Sequence, residues 1–145
     1  MDYREYAKDL LARKNALTSA YSAIKTELEC LEQERQACKA SILLAESRGI
    51  DACKYDDRLI NVLADIDDCR FRRSVVEREL IKIEKGMNGL SDYQRDLING
   101  FFIERDEGIV EELMLRWYKE RSTVYRDRGR ALDAFTRSIY GVLQL

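Results

Sequence analysis

The chain contains no proline and no histidine, and only seven of its 145 residues are glycine. Proline breaks helices and glycine disfavours their interiors, so the near absence of both permits very long helices. β-Branched residues are scattered singly, without the alternation of polar and apolar positions that marks a strand. The missing residue types therefore predict an all-α protein.

Long apolar runs are also missing. No stretch approaches the roughly 18 apolar residues that a membrane span needs. The beginning of the sequence, MDYREYAKDLLARKNAL, is charged on every turn and lacks the apolar centre of a signal peptide. From this we expect a soluble, cytoplasmic protein that has no membrane partner.

The lack of histidine limits the chemistry. The four cysteines show no CxxC spacing, and no histidine is present to complete a zinc site. There is no glycine-rich phosphate loop, and nothing supplies a nucleophile with its base. We therefore expect no enzyme activity, no metal, no cofactor and no small-molecule substrate. Cys38 and Cys69 fall on apolar helical stripes, which predicts small core residues.

Charge is unevenly distributed along the sequence. Residues 1–90 carry 16 Lys and Arg against 17 Asp and Glu, residues 91–115 carry 2 against 7, and residues 116–145 carry 7 against 3. The last two segments therefore have net charges of −5 and +4. An acidic protein can still bind a polyanion when its positive charge lies on one face.

Two apolar stripes at alternating three- and four-residue intervals run through residues 1–88, a pattern typical of coiled coils. Lys14, Arg35 and Arg73 are their charged interruptions. The first stripe consists of Tyr3, Leu10, Leu17, Tyr21, Ile24, Leu28, Leu31, Cys38, Ile42 and Ala45. The second consists of Tyr55, Leu59, Val62, Ile66, Cys69, Val76, Leu80, Ile83 and Met87.

The connection between the stripes is short, with Gly49 as the expected helix stop and Asp51 as the restart. Two long helices with matching stripes predict a long antiparallel helical hairpin. The same stripes would also suit pairing between subunits, which would give a dimeric four-helix bundle. In either arrangement the charged interruptions would fix the register.

Three further helices are predicted after residue 88. Gly86 and Gly89 are expected to end the second long helix, and Ser91 with Gln94 forms a capping box for the next one. The three helices are expected at about 92–101, at about 107–117 and from about 121 onwards. Only YKE separates the last two, and helices joined by so short a turn cross steeply, as in a helix-turn-helix.

The last helix has two distinct sides. If Val124, Ala131, Leu132 and Phe135 are buried, the opposite side presents a polar, basic group of residues. Arginine donors fit phosphate oxygens and guanine, and hydroxyl side chains near a helix start bind phosphate or base edges. The predicted DNA-binding residues are Arg121, Ser122, Thr123, Tyr125, Arg126 and Arg130. Tyr125 is equally suited to stacking on DNA and to packing on its own domain.

The stretch RSTVYRDRGRAL, residues 121–132, resembles the recognition helix of sigma-factor region 4-type helix-turn-helix proteins. These are the ArpU and RinA families of phage and prophage late-gene regulators, and LSDYQRDLINGFF is similar to their first helix. The resemblance covers about residues 90–140. It implies that Leu113, Trp117 and Val124 are core positions and that Arg121, Ser122, Thr123, Arg126 and Arg130 face DNA.

Three turn positions depart from that pattern. Tyr118 stands where the family has a glycine or another small residue, and Lys119 where it has an apolar one. Glu120 replaces the usual capping serine and would repel a phosphate. These substitutions bear on the geometry of the turn and on the strength of DNA binding.

The sequence predicts two domains, a helical hairpin for interaction or dimerisation at residues 1–88 and a sigma region 4-like, three-helix DNA-binding domain at residues 89–145. The predicted function is a sequence-specific transcriptional regulator that binds double-stranded DNA, with RNA polymerase as a further partner and a homodimer formed through the hairpin. Two alternatives stay open. One is a DNA-packaging protein of the small-terminase type, and the other is a coiled-coil adaptor whose helix-turn-helix binds protein instead of DNA.

Overall fold

The computed structural model describes all residues from 1 to 145 and is all-helical, with 84% of residues in helix and no strand. The all-α prediction is therefore confirmed. The helices are α1 (Tyr3–Ala12), α2 (Lys14–Ser47), α3 (Cys53–Asn88), α4 (Asp92–Ile98), α5 (Ile109–Trp117) and α6 (Arg121–Tyr140), with a π-helical segment at Asn99–Glu104 between α4 and α5. None of these helices combines the length and the apolar character that a membrane crossing requires.

The first apolar stripe is divided between two helices. α1 ends at Ala12, and the backbone N–H of Arg13 is shared between the carbonyls of Asp9 and Leu10 before α2 begins. Ala7 and Leu11, which lie outside the predicted stripe, are fully buried beside Leu10. α1 thus turns a different side inwards because it packs on α6, a contact that a local pattern does not contain.

The contacts divide the chain into two compact units, and one of them is Ser19–Glu77. In this unit Cys38 of α2 is buried with Val62 and Ile66 of α3, and the Cys69 Sγ atom donates to the Ile24 carbonyl at 3.4 Å. The predicted burial of Cys38 and Cys69 is therefore confirmed. The apolar residues of the two predicted stripes thus form a seam between α2 and α3, and they contact each other within one chain.

Ion pairs lie along the same two helices. Arg58 pairs with Glu34 at 3.0 Å, Arg70 with Glu32 at 3.0 Å, and Arg72 with Glu27 at 3.1 Å. Exposed pairs of this kind contribute at most about 1 kcal/mol each, so most of the stabilisation comes from the apolar seam. α2 ends at Ser47 before Gly49, whose φ is +68°, and the Asp51 carboxylate accepts from the Cys53 N–H at the start of α3.

The other compact unit consists of residues Met1–Thr18 and Arg78–Leu145. It therefore takes in α1 and the end of α3 together with α4, α5 and α6. Its buried core comprises Ala7, Leu10, Leu11, Ile83, Leu90, Leu97, Ile98, Ile103, Ile109, Val110, Leu113, Val124, Ala131, Leu132 and Phe135. The division into domains after residue 88 stays a prediction.

The end of α3 differs from the expectation at one glycine. α3 continues through Gly86 to Asn88, so only Gly89 marks its end. A Cβ atom at Gly86 would clash with the ring of Phe135. Gly86 is therefore required for the close approach of α3 to α6, and its assignment as a helix stop was wrong.

The predicted capping box at the start of α4 is confirmed. The Ser91 hydroxyl accepts from the Gln94 N–H at 3.2 Å, and the Gln94 side chain accepts from the Ser91 N–H at 3.1 Å. The helix itself is shorter than expected, since it ends at Ile98 and a π-helical turn follows as far as Glu104. Gly100 in that turn packs directly on Ile109 of α5 and leaves no room for a Cβ atom.

Candidate nucleic-acid interface

One side of α6 is fixed in the core. Val124, Ala131, Leu132 and Phe135 are all buried, as the sequence predicts. Thr136 is buried beside them, and its hydroxyl donates to the Leu132 carbonyl at 2.7 Å, which satisfies its polar atom inside the helix. Burying these side chains fixes the rotation of α6 about its axis, and this rotation determines which residues face solvent.

The turn between α5 and α6 contains a left-handed residue. Tyr118 has φ 54° and ψ 47°, and its side chain is 93% exposed. The Tyr118 N–H donates to the Met114 carbonyl, and the Lys119 N–H donates to the same oxygen at 3.2 Å, which closes the end of α5. α6 then begins after Glu120, whose side chain makes no capping hydrogen bond. Tyr118 thus adopts the conformation that a glycine would adopt with less strain.

Residues of α4 hold α5 and α6 in place. The Tyr93 hydroxyl donates to Asp127 of α6 at 2.9 Å, and the Trp117 Nε1 of α5 donates to Asp96 at 3.0 Å. The Tyr93 and Trp117 rings pack with their centroids 5.3 Å apart. Burial, followed by the hydrogen bond to Asp127 and its charge, raises the pKa of Tyr93 from 10 to about 12. These contacts fix the angle between α6 and the two preceding helices.

The solvent side of α6 carries three of the predicted residues. Ser122, Arg126 and Arg130 are exposed and lie on one face, and Arg137 continues that face towards the end of the helix. At 100° per residue these four side chains fall within an arc of about 80°, opposite the buried side. Arg126 and Arg137 form no ion pair within the chain, and Arg130 is 4.0 Å from Asp127 at its nearest.

The one carboxylate on this face is neutralised by another helix. The Arg4 Nε atom of α1 donates to Asp133 Oδ1 at 2.6 Å. The hydrogen bond to Asp133 also raises the pKa of Arg4. Asp133 lies between Arg130 and Arg137 in sequence, and its pairing with Arg4 leaves the face with an excess of positive charge.

The other predicted residues lie elsewhere. Arg121 pairs with Glu111 of α5 at 2.7 Å, and this pairing raises the pKa of Arg121 and lowers that of Glu111. Thr123 is half-buried at the edge of the outward face. The structure brings Ser122, Arg126 and Arg130 together, but places Arg121 on another side of α6.

Tyr125 packs on its own unit. Its ring lies 6.1 Å from that of Phe101, and the guanidinium of Arg128 lies 5.1 Å from both ring centroids. Cation–π contacts of this kind stabilise by roughly 0.5–1 kcal/mol at exposed sites. Tyr125 is nevertheless 41% exposed, so an edge of the ring stays open to solvent. Of the two orientations expected for Tyr125, the structure contains the packed one.

Two residues of the face were missed by the sequence analysis. Arg137 lies seven residues after Arg130, a helical repeat that would have been sufficient to find it. Arg4 is 129 residues from Asp133 in the chain, and no local pattern links them. Their addition makes the basic face longer than the stretch that the sequence analysis singled out.

A scan against protein-family models finds no match, and searches among curated proteins and among solved structures find none either. The chain has no group of three or more His, Cys, Asp or Glu side chains placed to hold a metal ion. The interpretation of α6 therefore depends on its own charges and contacts.

Proposed function

We propose that the protein is a sequence-specific DNA-binding transcriptional regulator, phage or prophage encoded, in which α5 and α6 form a helix-turn-helix and α6 enters the major groove. The observation that carries this proposal is the arginine face of α6. Ser122, Arg126, Arg130 and Arg137 are exposed together while the opposite side of the helix is buried in the core.

The dimensions of α6 suit this role. A major groove about 12 Å wide admits one α-helix, and arginine binds both guanine and phosphate with paired donors. Arg126 and Arg137 are separated by eleven residues, which corresponds to about 16 Å along the helix. Arg126 and Arg130, nearer the start of α6, are therefore the candidates for base contacts, and Arg137 is suited to the phosphate backbone.

The finer fold assignment is part of the same proposal. The pairing of Glu34 with Arg58 and of Glu27 with Arg72 supports an antiparallel hairpin of α2 and α3. The three-residue connection between Trp117 and Arg121 supports a helix-turn-helix of α5 and α6. The resemblance of residues 90–140 to sigma region 4-type late-gene regulators supports the assignment to transcription.

A salt titration with matched variants tests DNA binding. Labelled duplexes from the promoters beside the gene are titrated with wild-type protein, and a logarithmic affinity-against-salt slope of about −1 is expected for Arg137, the one arginine of this face assigned to the phosphate backbone. Arg126→Ala with Arg130→Ala should abolish binding without loss of helicity. Arg48→Ala removes an exposed arginine in the connection after α2 and serves as the control. The proposal fails if wild type binds none of the duplexes, or if the double variant binds as well as wild type.

A protein-binding adaptor is the second candidate, and two acidic residues close to the start of α6, one on α5 and one at the N-cap, favour it. Glu111 forms an ion pair with Arg121, which reduces the availability of Arg121 to bind DNA. The carboxylate of Glu120, at the N-cap position, would repel a phosphate bound there. In this role the acidic segment 91–115 would contact a protein such as RNA polymerase. Binding to polymerase that persists in the Arg126→Ala and Arg130→Ala variant, with no DNA affinity in wild type, would support the adaptor.

A further inference from the structure

The solvent side of α3 carries a stripe of exposed apolar residues. Phe71 is 68% exposed and Ile60 is 63% exposed, although both are large hydrophobic side chains. The full set on this side of the helix is Ile60, Leu63, Phe71, Val75 and Ile81. Single exposed hydrophobic residues are common on proteins, but five on one side of a helix form a candidate interaction surface, in which Asp67 and Arg78 lie between the apolar side chains.

This stripe is separate from the seam. The seam positions of α3, including Val62, Ile66 and Cys69, are buried against their neighbours. At 100° per residue, Phe71 and Ile60 point to the opposite side of the same helix. The stripe therefore has no partner within the chain.

Acidic and basic residues are segregated along this side of α3. Asp56 and Asp67 lie on this side of α3 before Phe71, and Arg78 and Lys85 lie on it after Phe71. All four are exposed, and none forms an ion pair within the chain. By contrast, Arg58, Arg70 and Arg72 of α3 are all paired with glutamates of α2.

We propose that this stripe is a homodimer interface in which the α3 helices of two copies pack antiparallel, with the twofold axis beside Phe71. At a rise of 1.5 Å per residue, Asp56 lies about 22 Å before Phe71 and Lys85 about 21 Å after it. Asp67 lies about 6 Å before Phe71 and Arg78 about 10 Å after it. Antiparallel packing therefore places each acidic side chain near a basic side chain of the second copy.

The apolar residues match in the same register. Ile60 and Leu63 lie level with Ile81 of the second copy, and the two Phe71 rings meet at the axis. A parallel pair would align acidic residues with acidic residues and basic with basic, which disfavours it. The order of the charges therefore favours a second copy of this chain as the partner. A twofold axis makes the surface complementary to itself.

Sedimentation equilibrium of the full-length chain without DNA tests the proposal independently of the proposed function. Wild type should be a dimer, and Phe71→Glu should raise its dissociation constant by about 30-fold, because it buries a carboxylate at the centre of the interface. Leu44→Glu is the matched control: it places the same charge at another exposed leucine, on α2, and should leave the dimer intact. A wild-type monomer at the highest soluble concentration, or a ring of eight or more subunits, would overturn the proposal.

A charge swap tests the antiparallel register. Asp56→Lys alone and Lys85→Asp alone should each weaken the dimer by about 10-fold, because each places like charges together in both symmetric copies. The two substitutions combined should restore the wild-type dissociation constant. Restoration supports the register, since a merely destabilised fold would show additive losses. A doubly substituted chain that dimerises more weakly than either single variant would overturn it.

Discussion

Arg4 of α1 and Asp133 of α6 form an ion pair with a 2.6 Å separation between Nε and Oδ1, although they are 129 residues apart in the chain. Asp133 would otherwise present a free carboxylate between Arg130 and Arg137. The pair therefore links the packing of α1 to the charge of the candidate DNA-binding face.

This pair predicts an indirect effect on DNA affinity. Arg4→Ala leaves Asp133 unpaired and should weaken DNA binding by up to about 5-fold, the effect of one exposed charge. Asp133→Asn should cancel the loss, so the double variant binds at least as tightly as wild type. Fluorescence anisotropy gives the affinities, and circular dichroism checks that each variant keeps its helicity. An equal loss from Arg4→Ala in the presence and absence of Asp133 would contradict the prediction.

The turn before α6 is strained at Tyr118. Its φ of 54° is left-handed, and its side chain is almost entirely in solvent, so it gains little from packing. Tyr118→Gly should therefore raise the free energy of unfolding by roughly 1 kcal/mol. Urea denaturation measures the change. Gly141→Ala is the reverse control. Gly141 has φ 77° and no atom near its Cβ position, so the alanine variant should lose a similar free energy of unfolding.

The π-helical segment has no room for a side chain at Gly100. A Cβ atom there would overlap the side chain of Ile109. Gly100→Ala should lower the free energy of unfolding by about 1–3 kcal/mol, as overpacking in a core does. Gly129→Ala, at an exposed helical position with no atom nearby, should instead raise it by roughly 1 kcal/mol. Thermal unfolding of both variants compares them, and equal stability of the two would refute the close contact.

The burial of the Tyr93 hydroxyl, together with its hydrogen bond to Asp127, predicts a loss of stability at alkaline pH. The folded chain raises the pKa of Tyr93 to about 12, whereas an unfolded tyrosine ionises near its ordinary value of about 10. The neutral hydroxyl therefore stabilises the fold fully below about pH 10, and this contribution is lost as the pH rises towards 12.

Chemical denaturation at a series of pH values measures this dependence. Tyr93→Phe should be less stable than wild type below about pH 10, and the difference should shrink as the pH approaches 12. Tyr118→Phe removes a solvent-exposed hydroxyl and serves as the control. A constant difference between wild type and Tyr93→Phe across this range would contradict the assignment.

Local signals were sufficient for the helices and their buried sides. The apolar stripes identified the seam residues Cys38, Val62, Ile66 and Cys69, which are all buried. The Ser91 capping box was predictable because both of its partners lie within one helical turn. The buried side of α6 followed from its own periodicity, since the rotation of a helix is set by the apolar residues that it carries.

Such local signals do not predict contacts between segments that are far apart in the chain. The break at Arg13 and the burial of Ala7 and Leu11 follow from the packing of α1 on α6. Glycine is a common helix stop, but the role of Gly86 depends on Phe135, which lies beside it only in the folded chain. The sequence pattern groups Arg121 with the outward arginines, whereas its pairing with Glu111 depends on the crossing of α5 and α6.

The sequence by itself determined that the chain is helical, which sides of its long helices are apolar, and that α6 has a buried side opposite an arginine-bearing side. These properties depend on residue spacing within single helices. Only the tertiary structure decided that Arg4 neutralises Asp133, that Tyr118 takes a left-handed conformation and that the α3 stripe stays uncovered. Each of these depends on which helix packs beside which, and therefore on contacts between residues far apart in the chain.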